Sequence, residues 1–179
     1  NENDIQKHGR WPISDATMAK ALDYLIRYGP RTIGLDLFRD LPVPPGNREF
    51  ESVLEENKNI IAVIKFGNDG VSSPKAVYET DRIGFNDILV DRGGIIRRGL
   101  LFLDDDEQVY YSFALQLALQ YLRVEGIFPQ PDKTNPQYIA LGKTTIPPIG
   151  ANEGGYIDAD DRGYQFLIDF KRGVESFQI

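Results

Sequence analysis

The chain has 179 residues, of which 41% are hydrophobic and 26% charged, with a formal net charge of −7 and no cysteine. That length and apolar content suit one folded domain around one core. The acidic balance, with no basic stripe, argues against nucleic acid and against a polybasic membrane-surface helix, and the missing cysteine excludes disulfides, thiolate catalysis and a cysteine-ligated metal.

In chain order, Trp11-Pro12 reads as an N-terminal hydrophobic plug, with the tryptophan in the core. Ser14 then caps a helix whose positive end suits Asp15. Ala19, Leu22, Leu25 and Ile26 form its apolar stripe. Tyr28-Gly29-Pro30 stops it, because glycine tolerates a left-handed cap and proline cannot continue a helix. Residues 31–38 follow as a strand. The proline-stiffened loop 41–46 leads to a second helix, capped by Asn47 and apolar at Phe50, Val53 and Leu54. Residues 59–66 are β-branched and read as a buried strand.

The middle of the chain predicts a hairpin. Residues 83–90 and 95–103 read as two strands joined by the turn Asp91-Arg92-Gly93-Gly94. The acidic run 104–107 is a second, solvated turn leading to Val109-Tyr110-Tyr111. Ser112 caps a helix running to about Glu125, apolar on more than one face and so buried between layers. Residues 138–141 and 164–170 are the remaining strands. The expected fold class is therefore α/β: a mixed, largely parallel sheet flanked by helices, with an antiparallel hairpin insertion.

Candidate chemistry is sparse. Asp36 lies at the end of an apolar strand, where open α/β sheets place ligands; the blander reading is that it accepts from backbone donors of the next loop. Arg97 and Arg98 end a strand, so adjacent side chains point to opposite faces and at most one enters a given pocket. One can bind an anion bidentately; the blander reading is that both pair with the chain's own carboxylates. Residues 158–163 resemble part of a calcium loop, but Arg162 stands where an oxygen ligand belongs and no paired helices flank it, which favours a solvated turn. The single histidine, His8, reads as an exposed polar residue. No phosphate loop and no nucleophile elbow is present. The residues by themselves describe an acidic α/β domain with no catalytic set, no metal site and no cofactor.

Several segments in order resemble one family. Gly9-Arg10-Trp11-Pro12 resembles its opening, and Gly34-Leu35-Asp36 its Gly-x-Asp strand. Gly84-Phe85-Asn86-Asp87 and the run from Asp91 to Leu100 resemble its turn and Arg-Arg strand. Ser112 to Ala118 is similar to its buried helix, Gly154-Gly155-Tyr156 to a tyrosine turn, and Asp169 to Phe177 to a closing segment. Together they resemble the CHASE type-2 domain, the cyclase/histidine-kinase-associated sensory extracellular module, particularly its cyanobacterial versions.

The resemblance implies one domain over residues 1–179, the extracytoplasmic, periplasmic sensor of a membrane-anchored bacterial receptor. It implies an intracellular output such as an adenylate cyclase, a histidine kinase, a Ser/Thr kinase or a caspase-like peptidase. It also implies that a strand precedes Asn1 and another follows Ile179, so the chain reads as a sensor cut at both ends. The expected partner is a small-molecule or protein ligand, with Asp36, Asn86, Arg97 and Arg98 as candidate contacts. Two other readings stand beside it. One is a metal-assisted hydrolase using Asp36 with Asp40 or Asp87; the other is a scaffold that forms a homodimer.

Overall fold

A computed structural model describes residues 6, 11–104 and 108–170 of the chain; His8, residues 105–107, where the sequence predicts a turn, and the closing segment from residue 171 lie outside them. Helix α1 (Asp15–Ile26) starts at Ser14, whose side chain accepts from the Thr17 backbone N–H at 3.3 Å. It ends where expected, with the Gly29 N–H donating to the Ile26 carbonyl and Gly29 at φ +61°. Strand β1 (Ile33–Leu35), helix α2 (Asn47–Glu56) and strand β2 (Ile60–Ile64) follow. The cap of α2 differs from expectation. Gly46 holds the cap position at φ +104°, and Asn47 is the first helical residue.

Strand β3 (Ile83–Phe85) completes a parallel sheet in the order β1-β2-β3. Ile33, Leu35, Ile60, Ala62 and Ile83 share one face and meet α1 and α2 through Leu22, Phe50 and Leu54. Gly34 and Gly84 lie on the opposite face, under helix α3 (Phe113–Leu122). A methyl on Gly84 would sit 2.5 Å from Phe113 Cα, so α3 can approach the sheet this closely only over a glycine. Ser112 caps α3 as its sequence predicts, accepting from the Leu115 N–H at 3.2 Å. Ser112→Ala should lower stability by about 1 kcal/mol in a urea melt.

Buried Arg82 fastens α2 to this sheet. Its guanidinium donates to the carbonyls of Leu54 at 2.6 Å, Asn57 at 3.3 Å and Ala76 at 3.3 Å. Leu54 and Asn57 lie at the carboxyl end of α2, where a helix leaves carbonyls without intrahelical partners, and Ala76 lies in the turn Lys75–Val77.

The expected hairpin is not formed. Only Ile83–Phe85 of the first segment is strand, and it pairs in parallel with β2. Asp91 to Ile95 do make a tight turn, closed by the Asp91 N–H donating to the Ile95 carbonyl at 2.9 Å. Beyond it, β4 (Arg98–Asp104) turns away to lie between β5 (Val109–Tyr111) and β9 (Tyr164–Leu167), antiparallel to both. The antiparallel pairing of this segment is therefore with β5 and β9. Strands β6 (Pro129–Pro131), β7 (Ile139–Leu141) and β8 (Thr144–Ile146) form a third, antiparallel sheet.

Among the described residues one small sheet is parallel and two are antiparallel, so the fold is mixed α/β and the expected largely parallel sheet is correct only for β1-β2-β3. A parallel bridge from Phe85 to Ser112 links the parallel sheet to the end of β5. Leu101, Leu115 and Tyr164 centre a second core, to which α3 contributes Leu115 and Leu119. The Tyr164 hydroxyl accepts from the Ile139 N–H at 2.9 Å and donates to the Ile146 carbonyl, tying β7 and β8 to β9.

Trp11 is 66% exposed and is not the core plug its sequence context suggests. Ile13 fills that role in part, packing against the α1–α2 core.

Candidate ligand site and a buried arginine

Parallel strands end with their carboxyl groups on one edge, and the loops leaving that edge are where open α/β sheets bind ligands. The fold brings Asp36 and Asn86 together there. Asp36 follows β1, Asn86 follows β3, and the Asn86 amide Nδ2 donates to Asp36 Oδ1 at 3.3 Å, both side chains being exposed. Asp87 stands beside them, and its Oδ2 accepts from the Phe66 N–H at 3.1 Å. Asp40 lies apart from these groups, in the wall of a cavity against α2. Among the described residues no three acidic or histidine side chains gather as a metal site would require.

Arg97 and Arg98 lie elsewhere, at the start of β4. Arg97 precedes the strand, so the alternation that should have separated the two does not apply, and both reach Asp91. Arg98 donates to Asp91 Oδ1 from Nε at 3.0 Å and from a terminal nitrogen at 2.7 Å. Its other terminal nitrogen donates to the Asp160 carbonyl and to Gln165 Oε1, each at 2.7 Å. Tyr156 lies under the guanidinium, 4.8 Å from its ring centre, and donates its phenol to Asp91 Oδ2. Arg97 is more distant, 3.7 Å from the same oxygen. Arg98 thus joins β4, β9 and the loop 156–160 into one buried polar network.

The Tyr156 hydrogen bond, with those of Arg98, holds the Asp91 carboxyl below the ordinary carboxylate value of 3.8, against the opposing effect of burial. A depressed folded-state pKa means this contribution to stability is complete above the ordinary carboxylate range and is lost as pH falls through the lower, folded value. Tyr156→Phe removes one arm of the network. Its acid-unfolding midpoint, followed by circular dichroism, should lie at higher pH than that of the wild type. An unchanged midpoint would show that the phenol contributes nothing.

The segment 158–163 is a turn organised by side chains. Arg162 holds Asp160 at 2.6 Å and keeps its carboxyl down at about 2, with help from the Arg162 backbone N–H. Asp161 accepts from the Ala151 N–H at 3.1 Å.

Near the carboxyl edge the helix ends create a further site. α1 and α2 both start there, in direct contact. The Asp15 N–H donates to the Val43 carbonyl at 2.7 Å, and the Ala16 N–H to that of Pro45 at 2.8 Å. The Val43 N–H returns a bond to Asp15 Oδ2 at 2.9 Å. Gly46 is pressed against Ala16, whose backbone nitrogen would lie 2.3 Å from a Cβ at that position. Beside this junction is a cavity of about 570 Å³ lined by Asp15, Arg39, Asn47 and Arg48 among others. Asp15 is 1% and Arg39 5% exposed. Asp15 Oδ1 and Arg39 Nε have no hydrogen-bond partner. A second cavity, of about 770 Å³, lies between loop 70–81 and β5 and includes the buried, unpartnered Ser73 hydroxyl.

Sequence reasoning did not single out Asp15 or Arg39 as site residues. Asp15 reads as a helix-end charge, and Arg39 is one of several charges after β1. The available signal was their position: a charged pair, Arg39-Asp40, just past the carboxyl end of an apolar strand.

The family model of the CHASE2 domain matches residues 1–179, the whole chain. The chain belongs to the CHASE2 family. No curated protein and no solved structure matches it. A CHASE2 domain is a sensory extracellular module rather than a catalytic one, in keeping with a polar, cavity-bearing sheet edge. No helix among the described residues is long and apolar enough to cross a membrane.

Proposed function

We propose that this CHASE2 domain is the extracytoplasmic sensor of a bacterial transmembrane receptor, regulating an intracellular cyclase, kinase or caspase-like peptidase through a ligand bound at the carboxyl edge of β1-β2-β3. The family match carries the reading. The structure supports it with a cavity at that edge whose wall holds two buried side chains with unpartnered polar atoms, Asp15 and Arg39. In a well-satisfied interior such groups are rare and call for a partner. Asp36 and Asn86, exposed at the same edge but outside the walls of that cavity, are proposed as further ligand contacts. Arg98, committed to Asp91, Asp160 and Gln165, is proposed as a structural anchor, with Arg97 at its margin.

The sensor acts by differential affinity: a ligand that prefers one of two arrangements of the domain shifts the receptor toward it. The topology is tested by fusing β-lactamase, without its own export signal, to this domain within the parent protein in a bacterial cell. Ampicillin resistance is expected. A full-length fusion in cells that remain sensitive would place the domain in the cytoplasm and sink the reading.

A further inference from the structure

The cavity between the loop after β1 and α2 has a specific chemistry. Its two most buried charged side chains are of opposite sign, yet Asp15 and Arg39 do not pair. Asp15 uses Oδ2 for the Val43 N–H, leaving Oδ1 without a partner. Arg39 donates one terminal nitrogen to the Ile13 carbonyl at 2.6 Å, leaving Nε without a partner. A buried charged group with an unmet hydrogen bond is costly, and the deficit is removed when a ligand supplies the missing partner.

A third element comes from α2. Gly46 gives this ten-residue helix no side-chain cap. Its first-turn N–H groups, with Asn47 and Arg48 in the cavity wall, therefore present a positive end there. The cavity thus combines an acceptor for a cation with a donor and a helix end for an anion.

We infer that this cavity binds a zwitterion of the α-amino-acid class: Asp15 and Arg39, in its wall, turn their solvent-closed Oδ1 and Nε to the ligand's ammonium and carboxylate, and the N-terminus of α2 also faces the carboxylate. An anion alone would face the Asp15 carboxylate, and a cation alone would face Arg39 and the helix end; each leaves one buried group unmet. The walls agree with a ligand of no net charge, since four acidic and three basic side chains line the cavity. Its volume, about 570 Å³, lies within the range of small-molecule sites. Gly46 against Ala16 fixes the two helix starts, and with them Asp15 and the N-terminus of α2.

The inference deepens the sensor reading and rests on it only for biological meaning. The test is thermal melting of the 179-residue chain with each standard L-α-amino acid, with the matching decarboxylated amine, and with the matching deaminated acid. At least one amino acid should raise Tm by roughly 5 °C or more at a hundredfold excess over its Kd. Its amine and its acid should fail at the same concentration. Asp15→Asn should weaken the response at least tenfold. Because that change touches a buried group, Ser52→Trp serves as the second variant: Ser52 is an exposed wall residue of α2, and the indole should block the cavity without touching the core.

Three results would each overturn the inference: no amino acid stabilises the chain, the amine or acid alone works as well, or Ser52→Trp still responds fully. Failure here is distinct from failure of the sensor reading. A chain that binds no amino acid can still lie outside the membrane, and a cytoplasmic β-lactamase fusion would sink the sensor even if an amino acid binds.

Discussion

Gly84→Ala should destabilise the domain by about 3 kcal/mol, at the upper end of what an added methyl costs in a packed interior. The new Cβ would fall 2.5 Å from Phe113 Cα and 2.7 Å from its backbone nitrogen, and a backbone cannot rotate aside as a side chain can. Relief requires lifting the start of α3 from the sheet, which disturbs Leu115 in the second core and the bond from Gln116 Nε2 to the Ile83 carbonyl at 3.1 Å. Gly34→Ala is the natural control. Its Cβ meets only the side chains of Leu117 and Phe113, at 2.9 Å, and these can shift by rotamer. Urea melts of the two variants should show Gly84→Ala losing clearly more. Equal losses would mean that α3 does not ride on the backbone at residue 84.

Arg98→Ala should lower Tm on the order of 10 °C, because removing one partner of a buried ion pair strands the other. Asp91 would lose both direct bonds from Arg98, and Gln165, almost wholly buried, would lose the donor to its Oε1. Arg98→Lys should recover only part of this, since an ammonium cannot span Asp91, the Asp160 carbonyl and Gln165 as a planar guanidinium does. Arg97→Ala, at the exposed margin 3.7 Å from the same carboxylate, should shift Tm by no more than a degree or two. Scanning calorimetry of the three variants checks the order. A lysine variant as stable as the wild type would show that charge alone, without the fork, suffices.

The helix-loop-strand units of the first third were legible because their signals are local. Ser14 announces a cap, Gly29-Pro30 a stop, and the β-branched run around Ile60–Ile64 a buried strand, each within a few residues of the structure it produces. The β3–β4 hairpin misled because its signals are also local and only half true. The turn at Asp91–Ile95 does form, but the partners of its flanking segments are distant: β2 for Ile83–Phe85, and β9 for the start of β4, where Arg98 stands opposite Leu167. Alternation in one sequence gives a strand and its faces, never the neighbour it pairs with.

The site was legible in the same measure. Asp36 and Asn86 sit fifty residues apart and meet because parallel strands bring their carboxyl ends together. Asp15 was visible only as a helix-end charge. Its burial depends on the loop Val43–Pro45 folding over it, and no pattern around residue 15 encodes that. Arg98 was read as either a ligand contact or an ion-pair partner, and the geometry now gives it Asp91, Asp160 and Gln165.

Coupling to an output is the centre of this account, and the two destabilising substitutions provide the means to measure it. Gly84 and Arg98 share no partner, so their losses should add, and the double variant is the one expected to unfold the domain within the parent protein. The measurement is the output activity of the parent protein in isolated membranes, wild type against Gly84→Ala/Arg98→Ala, at equal amounts of receptor. A sensor that biases a two-state receptor predicts a change of roughly fivefold or more, in either direction, once its bias is removed. The same output from a receptor whose CHASE2 domain is unfolded would contradict the account.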